Sequence, residues 1–167
     1  MNLYIIRHGI AQELGKKNEF NDEKRALTGD GRNRMREVAR GLARLETEID
    51  LILTSPLLRA VETAQILAEA LGLKKNEIVE TANLAPGANP DQLFAEIKGR
   101  EAAAIALVGH QPDLGDFVSR IVTVTGGFSM ELRKGGACCV NVTETTPVLR
   151  GELVWLLTAK QLRSLAK

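Results

Sequence analysis

The feature that most constrains the fold of this chain is the alternation of short apolar runs with longer amphipathic segments. Four runs have the length and composition of buried β-strands: 3–6, 50–54, 78–84 and 103–108. Alternating strands and helices over the first two-thirds predict a largely parallel sheet with helices on both faces. We therefore expect an α/β, three-layer sandwich in which residues 1–167 form one domain.

Capping residues predict where the helices begin. Thr28 precedes apolar residues spaced as on one helical face. Ser55-Pro56 predicts a second helix, with Ser as the cap and Pro at the first helical position, and Gly72 closes it. Asn89-Pro90 begins a third helix, and a fourth follows Pro112. Between the first strand and the first helix, the polar segment 9–25 is expected to be a long surface loop.

The last third of the chain predicts two antiparallel strands, 138–143 and 152–157, followed by a short helix. Cys138 and Cys139 are adjacent on the first of these strands, so their side chains should point to opposite faces of the sheet. We interpret them as reduced, apolar thiols rather than as a disulfide or half of a metal site.

Charge and hydropathy exclude several classes of partner. The chain has 22 Lys and Arg against 21 Asp and Glu, a formal net charge of +1. A large nucleic-acid footprint and electrostatic docking on a membrane both favour a strong basic excess, so we expect neither. No signal segment precedes the first strand, and no apolar run approaches the ~20 residues that span a bilayer. We expect a cytoplasmic monomer.

Polar side chains follow three of the predicted strands, at the point where each strand ends. Arg7-His8-Gly9 follows the first strand, Thr54–Arg59 the second and Gly109-His110 the fourth. Ligands of open parallel sheets bind beyond the carboxyl ends of the strands, so we expect these groups to meet at one edge. His8 and His110 are the only two histidines in the chain.

Two arginines beside two histidines favour an anion over a metal ion. The planar guanidinium of Arg7 or Arg59 suits a phosphate or a carboxylate, and it would repel a divalent cation. The chemistry that fits is attack by an imidazole nitrogen on phosphorus, with a covalent phosphohistidine intermediate. The guanidinium groups would neutralise the charge on the phosphoryl oxygens as it develops.

The same residues carry a family resemblance. Arg7-His8-Gly9 after the first strand resembles the RHG signature of the histidine phosphatase superfamily, which has the phosphoglycerate-mutase-like fold. The stretch 54–64 (TSPLLRAVETA) and the Gly109-His110 pair are similar to the second and third blocks of that family, in order. Arg25-Ala-Leu-Thr28 with Gly31, and the stretch 84–90 (LAPGANP), are similar to the SixA-type phosphohistidine phosphatases.

The resemblance implies a role for each matching residue. His8 would be the nucleophile that becomes phosphorylated, Arg7 and Arg59 would hold the phosphoryl oxygens, and His110 would hydrogen-bond the same group. Arg25 would add a further phosphate contact from the loop. Glu62, one helical turn from Arg59, would either orient that arginine or form an ordinary surface pair. No metal and no organic cofactor is implied.

One departure from the family pattern bears on the substrate. Mutase-like members carry a glutamate acid after the third strand, whereas the stretch 82–87 (ANLAPG) contains no carboxylate. An alkoxide leaving group benefits from a positioned acid, while a ring-protonated imidazole leaves as a neutral group. The missing acid favours phosphohistidine over phosphate esters, although Glu13 or Asp22 remains a candidate acid.

These observations predict a metal-independent phosphatase that removes phosphate from phosphohistidine of a protein, with His8 as nucleophile. Two alternatives stay open. One is a phosphatase that acts on small phosphate monoesters, so the expected partner is a phosphorylated protein or a small phosphorylated substrate. The other is a module that binds phosphohistidine without turning it over.

Overall fold

The computed structural model describes residues 1–14, 21–45, 47–123 and 128–167. Its strands are β1 (Asn2–Arg7), β2 (Leu51–Thr54), β3 (Ile78–Glu80), β4 (Ala104–Gly109), β5 (Ala137–Glu144) and β6 (Arg150–Leu157). Its helices are α1 (Gly29–Arg44), α2 (Leu58–Leu71), α3 (Pro90–Lys98), α4 (Asp113–Val122) and α5 (Ala159–Leu165). Short 3-10 turns lie at Asp22–Lys24, Lys75–Glu77 and Ala82–Leu84.

The six strands form one mixed sheet in the order β3-β2-β4-β1-β5-β6. The four strands β3, β2, β4 and β1 are parallel to one another, whereas β5 runs antiparallel to both β1 and β6. The predicted parallel sheet with a late antiparallel pair is confirmed. Its central strands β1 and β4 are apolar and buried, as expected for strands that are covered on both faces.

Helices cover both faces of the sheet and divide the hydrophobic core into two clusters. One cluster packs α1, α2 and α5 against the sheet, and the other packs α3 and α4 against the opposite face. Cys139 belongs to the first cluster and Cys138 to the second, so the predicted opposite orientation is confirmed. Both thiols are free and buried, and burial raises the pKa of Cys138 to about 12 and that of Cys139 to about 11.

Capping side chains mark the starts of α1, α3 and α5, whereas α2 and α4 begin without one. The Thr28 hydroxyl accepts a hydrogen bond from the Gly31 amide, and Asn89 caps α3 in the same way. The predicted start of α2 at Ser55-Pro56 is wrong, because the helix begins at Leu58. The Ser55 amide donates to the Val108 carbonyl at 2.9 Å, which continues the sheet pairing through Ser55 and delays the helix.

The structure describes part of the predicted loop 9–25. Its described part contains the 3-10 turn Asp22–Lys24 and an antiparallel bridge between Ala11 and Leu27, while residues 15–20 lie outside the described residues. Within the described ranges, no helix has the length and apolar composition that crossing a bilayer requires.

Candidate active site

The carboxyl ends of β2, β4 and β1 are neighbours in the sheet, and a cleft of about 650 Å³ opens above them. This volume lies within the range of small-molecule sites, roughly 300–1,000 Å³. The cleft brings together all five side chains that the sequence singled out: Arg7, His8, Arg25, Arg59 and His110. Its other charged lining residues are Asp22, Asp113 and Lys134, so basic groups outnumber acidic ones at the site.

His8 directly follows β1 and is buried, with 6% of its surface exposed. Its Nδ1 lies 2.7 Å from the carbonyl oxygen of Gly9. A carbonyl only accepts hydrogen bonds, so Nδ1 carries the proton, and in the neutral ring Nε2 is left with a lone pair. Burial lowers the pKa of His8 to about 3, and the nearby His110, Arg59 and Arg7 act in the same direction. The ring is therefore neutral at neutral pH.

Arg59 lies on the first turn of α2 and is 4% exposed. Its Nε donates to His8 Nε2 at 3.3 Å. One Nη donates to the Asp22 carbonyl at 2.8 Å, and the other donates to the Asp22 carboxylate at 3.0 Å. These three hydrogen bonds fix the plane of the guanidinium beside His8 Nε2.

The Asp22 carboxylate forms hydrogen bonds with both Arg25 of the loop and Arg59 of α2. Its second carboxylate oxygen accepts from Arg25 Nε at 2.7 Å, while Arg25 also donates to the Gln12 carbonyl at 2.9 Å. Burial acts to raise the pKa of Asp22, but Arg59 and Arg25 together bring it below its usual value. Asp22 is thus ionised and poorly suited to act as a proton donor.

Arg7 is the last residue of β1 and directly precedes His8. One Nη donates to the Leu132 carbonyl at 2.8 Å, which holds the guanidinium at the cleft wall. Its Nε is buried and makes no hydrogen bond to any described residue. A buried donor without a partner is costly, so Arg7 retains hydrogen-bonding capacity for an anion at this site.

His110 follows β4 and is 4% exposed. Its ring centroid lies 5.0 Å from that of His8, and its Nε2 lies 2.8 Å from the Ser55 hydroxyl oxygen. Burial lowers the pKa of His110 to about 4, with Arg59 as the next contribution. Near pH 6 a pair of exposed imidazoles would be largely protonated, whereas both of these buried rings are neutral.

Among the described residues Glu62 forms neither a hydrogen bond nor an ion pair with Arg59, so it matches neither expected role. Its carboxylate accepts hydrogen bonds from the Leu27 amide and from Arg32 on α1. The next residue, Thr63, accepts from the Gly9 amide at 3.1 Å and donates to the Arg59 carbonyl at 2.7 Å. Helix α2 thus anchors both the RHG turn and the start of α1.

Sequence reasoning missed the positions of four polar residues of the site. Asp22 was considered only as a proton donor, Ser55 only as a helix cap, and Asp113 and Lys134 were not considered. Asp113 and Ser55 each lie within three residues of a strand-end residue that the sequence did single out. Asp113 lies three residues after His110 and Ser55 four residues before Arg59, and this proximity could have indicated that both belong to the site.

Comparisons with known proteins identify relatives of this chain. An uncharacterised protein of Picosynechococcus sp. strain PCC 7002 is 40% identical over 139 residues, covering 81% of this chain and 82% of that protein. Phosphohistidine phosphatase SixA of Escherichia coli K12 is 27% identical over 124 residues, covering 72% and 74%. A solved structure of the protein histidine phosphatase SixA complexed with tungstate superposes with a TM-score of 0.84 at 24% identity, covering 97% and 99%.

The structural match confirms the predicted fold class, a phosphoglycerate-mutase-like α/β sandwich. The family profile "Histidine phosphatase superfamily (branch 1)" matches residues 3–114, a range that contains His8, Arg59 and His110. That range is more than half of the chain, and it ends in the first turn of α4, after all three strand-end motifs. The chain therefore belongs to the histidine phosphatase superfamily.

Proposed function

We propose that this chain is a phosphatase that removes the phosphoryl group from phosphohistidine in a protein, through a covalent intermediate on His8. The observation that carries the proposal is the neutral His8 ring, with its proton on Nδ1 and its Nε2 lone pair beside the Arg59 guanidinium. A nucleophile that is unprotonated and already next to a phosphate-binding donor needs no rearrangement of protons before attack.

The cleft suits a doubly charged phosphoryl group. Arg7, Arg25, Arg59 and Lys134 supply positive charge, and the two arginines nearest His8 are held by hydrogen bonds to the Leu132 and Asp22 carbonyls. Fixed guanidinium groups stabilise charge on the phosphoryl oxygens without reorganising during the reaction. In this proposal Arg7 and Arg59 bind the phosphoryl oxygens directly, and Arg25 adds a contact from the loop.

The first step transfers the phosphoryl group to His8. The Nε2 lone pair forms a bond to phosphorus, the bond from phosphorus to the leaving nitrogen breaks, and its electron pair stays on that nitrogen. The phosphorylated ring of His8 then carries a positive charge, which the hydrogen bond from Nδ1–H to the Gly9 carbonyl stabilises. A water oxygen then forms a bond to phosphorus, and the bond to Nε2 breaks with its electron pair staying on Nε2. Both water protons leave with the product as dihydrogen phosphate, and the His8 ring returns to its neutral form.

His110 acts in this proposal as a neutral hydrogen-bond donor to the phosphoryl group. The Ser55 hydroxyl oxygen accepts a hydrogen bond from the Leu57 amide at 3.3 Å, so its own proton is free to be donated to His110 Nε2. That donation leaves the proton of the neutral His110 ring on Nδ1. Nδ1–H is then the donor available to an equatorial oxygen.

Phosphohistidine is favoured over phosphate esters for two reasons. The stretch 82–87, which borders the cleft through Pro86 and Gly87, has no carboxylic acid to protonate an alkoxide. Asp22, the carboxylate that lies closest to Arg59, is ionised and held by two arginines. The relative named phosphohistidine phosphatase SixA supports the same substrate class.

The test is to incubate the protein with a phosphohistidine protein and with sugar and aryl phosphates. We expect fastest turnover of phosphohistidine, and acid-labile phosphate on His8 after rapid quenching and peptide mapping. His8→Ala should abolish turnover while phosphate binding is retained. Faster turnover of a sugar phosphate, phosphate trapped on another residue, or binding of phosphohistidine without turnover would contradict the proposal.

A further inference from the structure

Two carboxylates line the cleft among the described residues, and only one of them is bound to arginine. Asp22 pairs with Arg59 and Arg25. Asp113 forms no ion pair with any described residue, and its Oδ2 accepts a hydrogen bond from the exposed Gly87 amide at 3.1 Å. Asp113 therefore presents negative charge to the cleft that the arginines do not neutralise by contact.

The position of Asp113 allows it to reach a ligand in the cleft. It is the first residue of α4, three positions after His110, and its side chain also borders a small apolar pocket. That pocket is lined by Leu84, Leu114 and Phe117. The Gly87 amide orients the carboxylate, and Asp113 lies between this apolar surface and the cleft that contains His8 and His110.

We propose that Asp113 determines the leaving group, by accepting a hydrogen bond from the ring N–H of the phosphohistidine substrate. This inference rests on the proposed function and specifies its substrate class. An ionised carboxylate favours the protonated, cationic form of the substrate ring. When the bond from phosphorus to the substrate nitrogen breaks, its electron pair stays on that nitrogen, and the ring leaves as neutral imidazole with its proton on the other nitrogen.

Asp113 itself gains no proton in this step, and this distinguishes imidazole from alcohol leaving groups. In the proposed step Asp113, the first residue of α4, accepts a hydrogen bond and transfers no proton. A phosphate ester offers no N–H to accept and needs a proton for its departing oxygen. The same carboxylate thus assists one substrate class and gives no help to the other.

The inference is tested with Asp113→Asn, whose amide oxygen can still accept from Gly87. Steady-state kinetics should be measured with a phosphohistidine peptide and with p-nitrophenyl phosphate, whose phenolate leaves without protonation. Loss of a charge-assisted hydrogen bond predicts about a 10- to 100-fold lower kcat/KM for the phosphohistidine peptide. Turnover of the aryl phosphate should change by less than about threefold.

Asp116→Asn is the matched control, because Asp116 lies in the same turn of α4, is exposed and does not line the cleft. It should leave both activities unchanged. An equal loss on both substrates for Asp113→Asn, or no loss on either, overturns the inference while the proposed function stands. If the unaltered protein turns over p-nitrophenyl phosphate but no phosphohistidine, the proposed function fails, and the inference fails with it.

Discussion

The Nε atom of Arg59 lies 3.3 Å from Nε2 of His8, and the opposite nitrogen of the same ring lies 2.7 Å from the Gly9 carbonyl oxygen. One contact fixes where the imidazole proton is, and in the other the lone pair of Nε2 accepts a hydrogen bond from the Arg59 guanidinium, which a bound phosphoryl group would have to replace. The two residues are 51 positions apart in the chain and meet because the ends of β1 and β2 are both close to β4.

The first prediction concerns the protonation of the histidines. Because burial lowers the pKa of His8 to about 3 and that of His110 to about 4, neither ring should titrate between about pH 5 and pH 8. Nitrogen NMR of histidine-labelled protein measures this directly, and His8 should show the Nδ1–H tautomer. With only two histidines, His110→Asn assigns the signals. Titration of either ring near pH 6.5 would contradict the prediction.

The second prediction distinguishes two effects of Asp22: it orients Arg59 and Arg25, and it places a negative charge in the cleft. Asp22→Asn weakens the bonds that orient Arg59 and Arg25 but also removes a negative charge from an anion site. We expect kcat to fall about 10-fold or more, while inhibition by inorganic phosphate becomes no weaker. Asp30→Asn is the control, since Asp30 pairs with Arg34 on α1 and does not line the cleft. An unchanged kcat would show that Asp22 does not position the arginines.

The third prediction concerns the hydroxyl of Ser55. In the proposed arrangement the Ser55 hydroxyl donates to His110 Nε2, so Ser55→Ala removes the hydrogen bond that holds the ring in the Nδ1–H tautomer. A neutral hydrogen bond is worth roughly 1 kcal/mol, so kcat should fall about two- to tenfold, and Ser55→Thr should restore most of it. Ser119→Ala removes a hydroxyl that bonds the Phe128 carbonyl away from the cleft and should leave kcat unchanged. Equal kcat in the Ser55 and Ser119 variants would count against this assignment.

The fourth prediction is loss of stability in mild acid. In the unfolded chain His8 and His110 take up protons near pH 6.5, whereas in the folded protein they do so only near pH 3 and pH 4. Between these values the unfolded state binds more protons, so the free energy of unfolding falls as the pH falls. The slope is at most about 1.4 kcal/mol per pH unit for each histidine.

Urea unfolding at pH 7, 6 and 5 measures this dependence. The His110→Asn variant should lose about half of it, and the variant that lacks both histidines should lose most of it. If the double variant and the unaltered protein depend equally on pH over this range, the histidines are not buried as neutral groups.

Most of the fold could be predicted because its signals are local. The apolar run before Arg7-His8 predicts a buried strand, and Thr28 and Asn89 cap helices that begin at Gly29 and Pro90. Parallel strands bring their carboxyl ends to one edge of the sheet. The meeting of the residues that follow β1, β2 and β4 can therefore be predicted without knowing their side-chain contacts.

The connections between side chains could not be predicted, because they join distant segments. Asp22 and Arg59 are 37 positions apart, and Glu62 and Arg32 are 30 apart, so nothing in the spacing of either pair indicates a contact. Ser55-Pro56 has the sequence of a helix start, but tertiary hydrogen bonds to Val108 and His110 engage Ser55 instead. At Ser55, hydrogen bonds to distant residues therefore determine the backbone conformation, and the local helix-start signal is overridden.

The fifth prediction compares two glycines of α1 that differ in their surroundings. A β-carbon at Gly41 would overlap the carbonyl oxygen of Leu162, because α1 and α5 pack with their backbones in contact at this point. A β-carbon at Gly29, the first residue of the same helix, would meet nothing within 4 Å. Gly41→Ala should therefore destabilise the protein by about 3 kcal/mol, a fall in Tm of about 6–12 °C. Gly29→Ala should change stability by less than about 1 kcal/mol, in the stabilising direction, because alanine has fewer unfolded conformations. Thermal unfolding of the two variants, measured side by side, tests this prediction. Similar Tm values would show that α5 does not pack against α1 with the Leu162 backbone at Gly41.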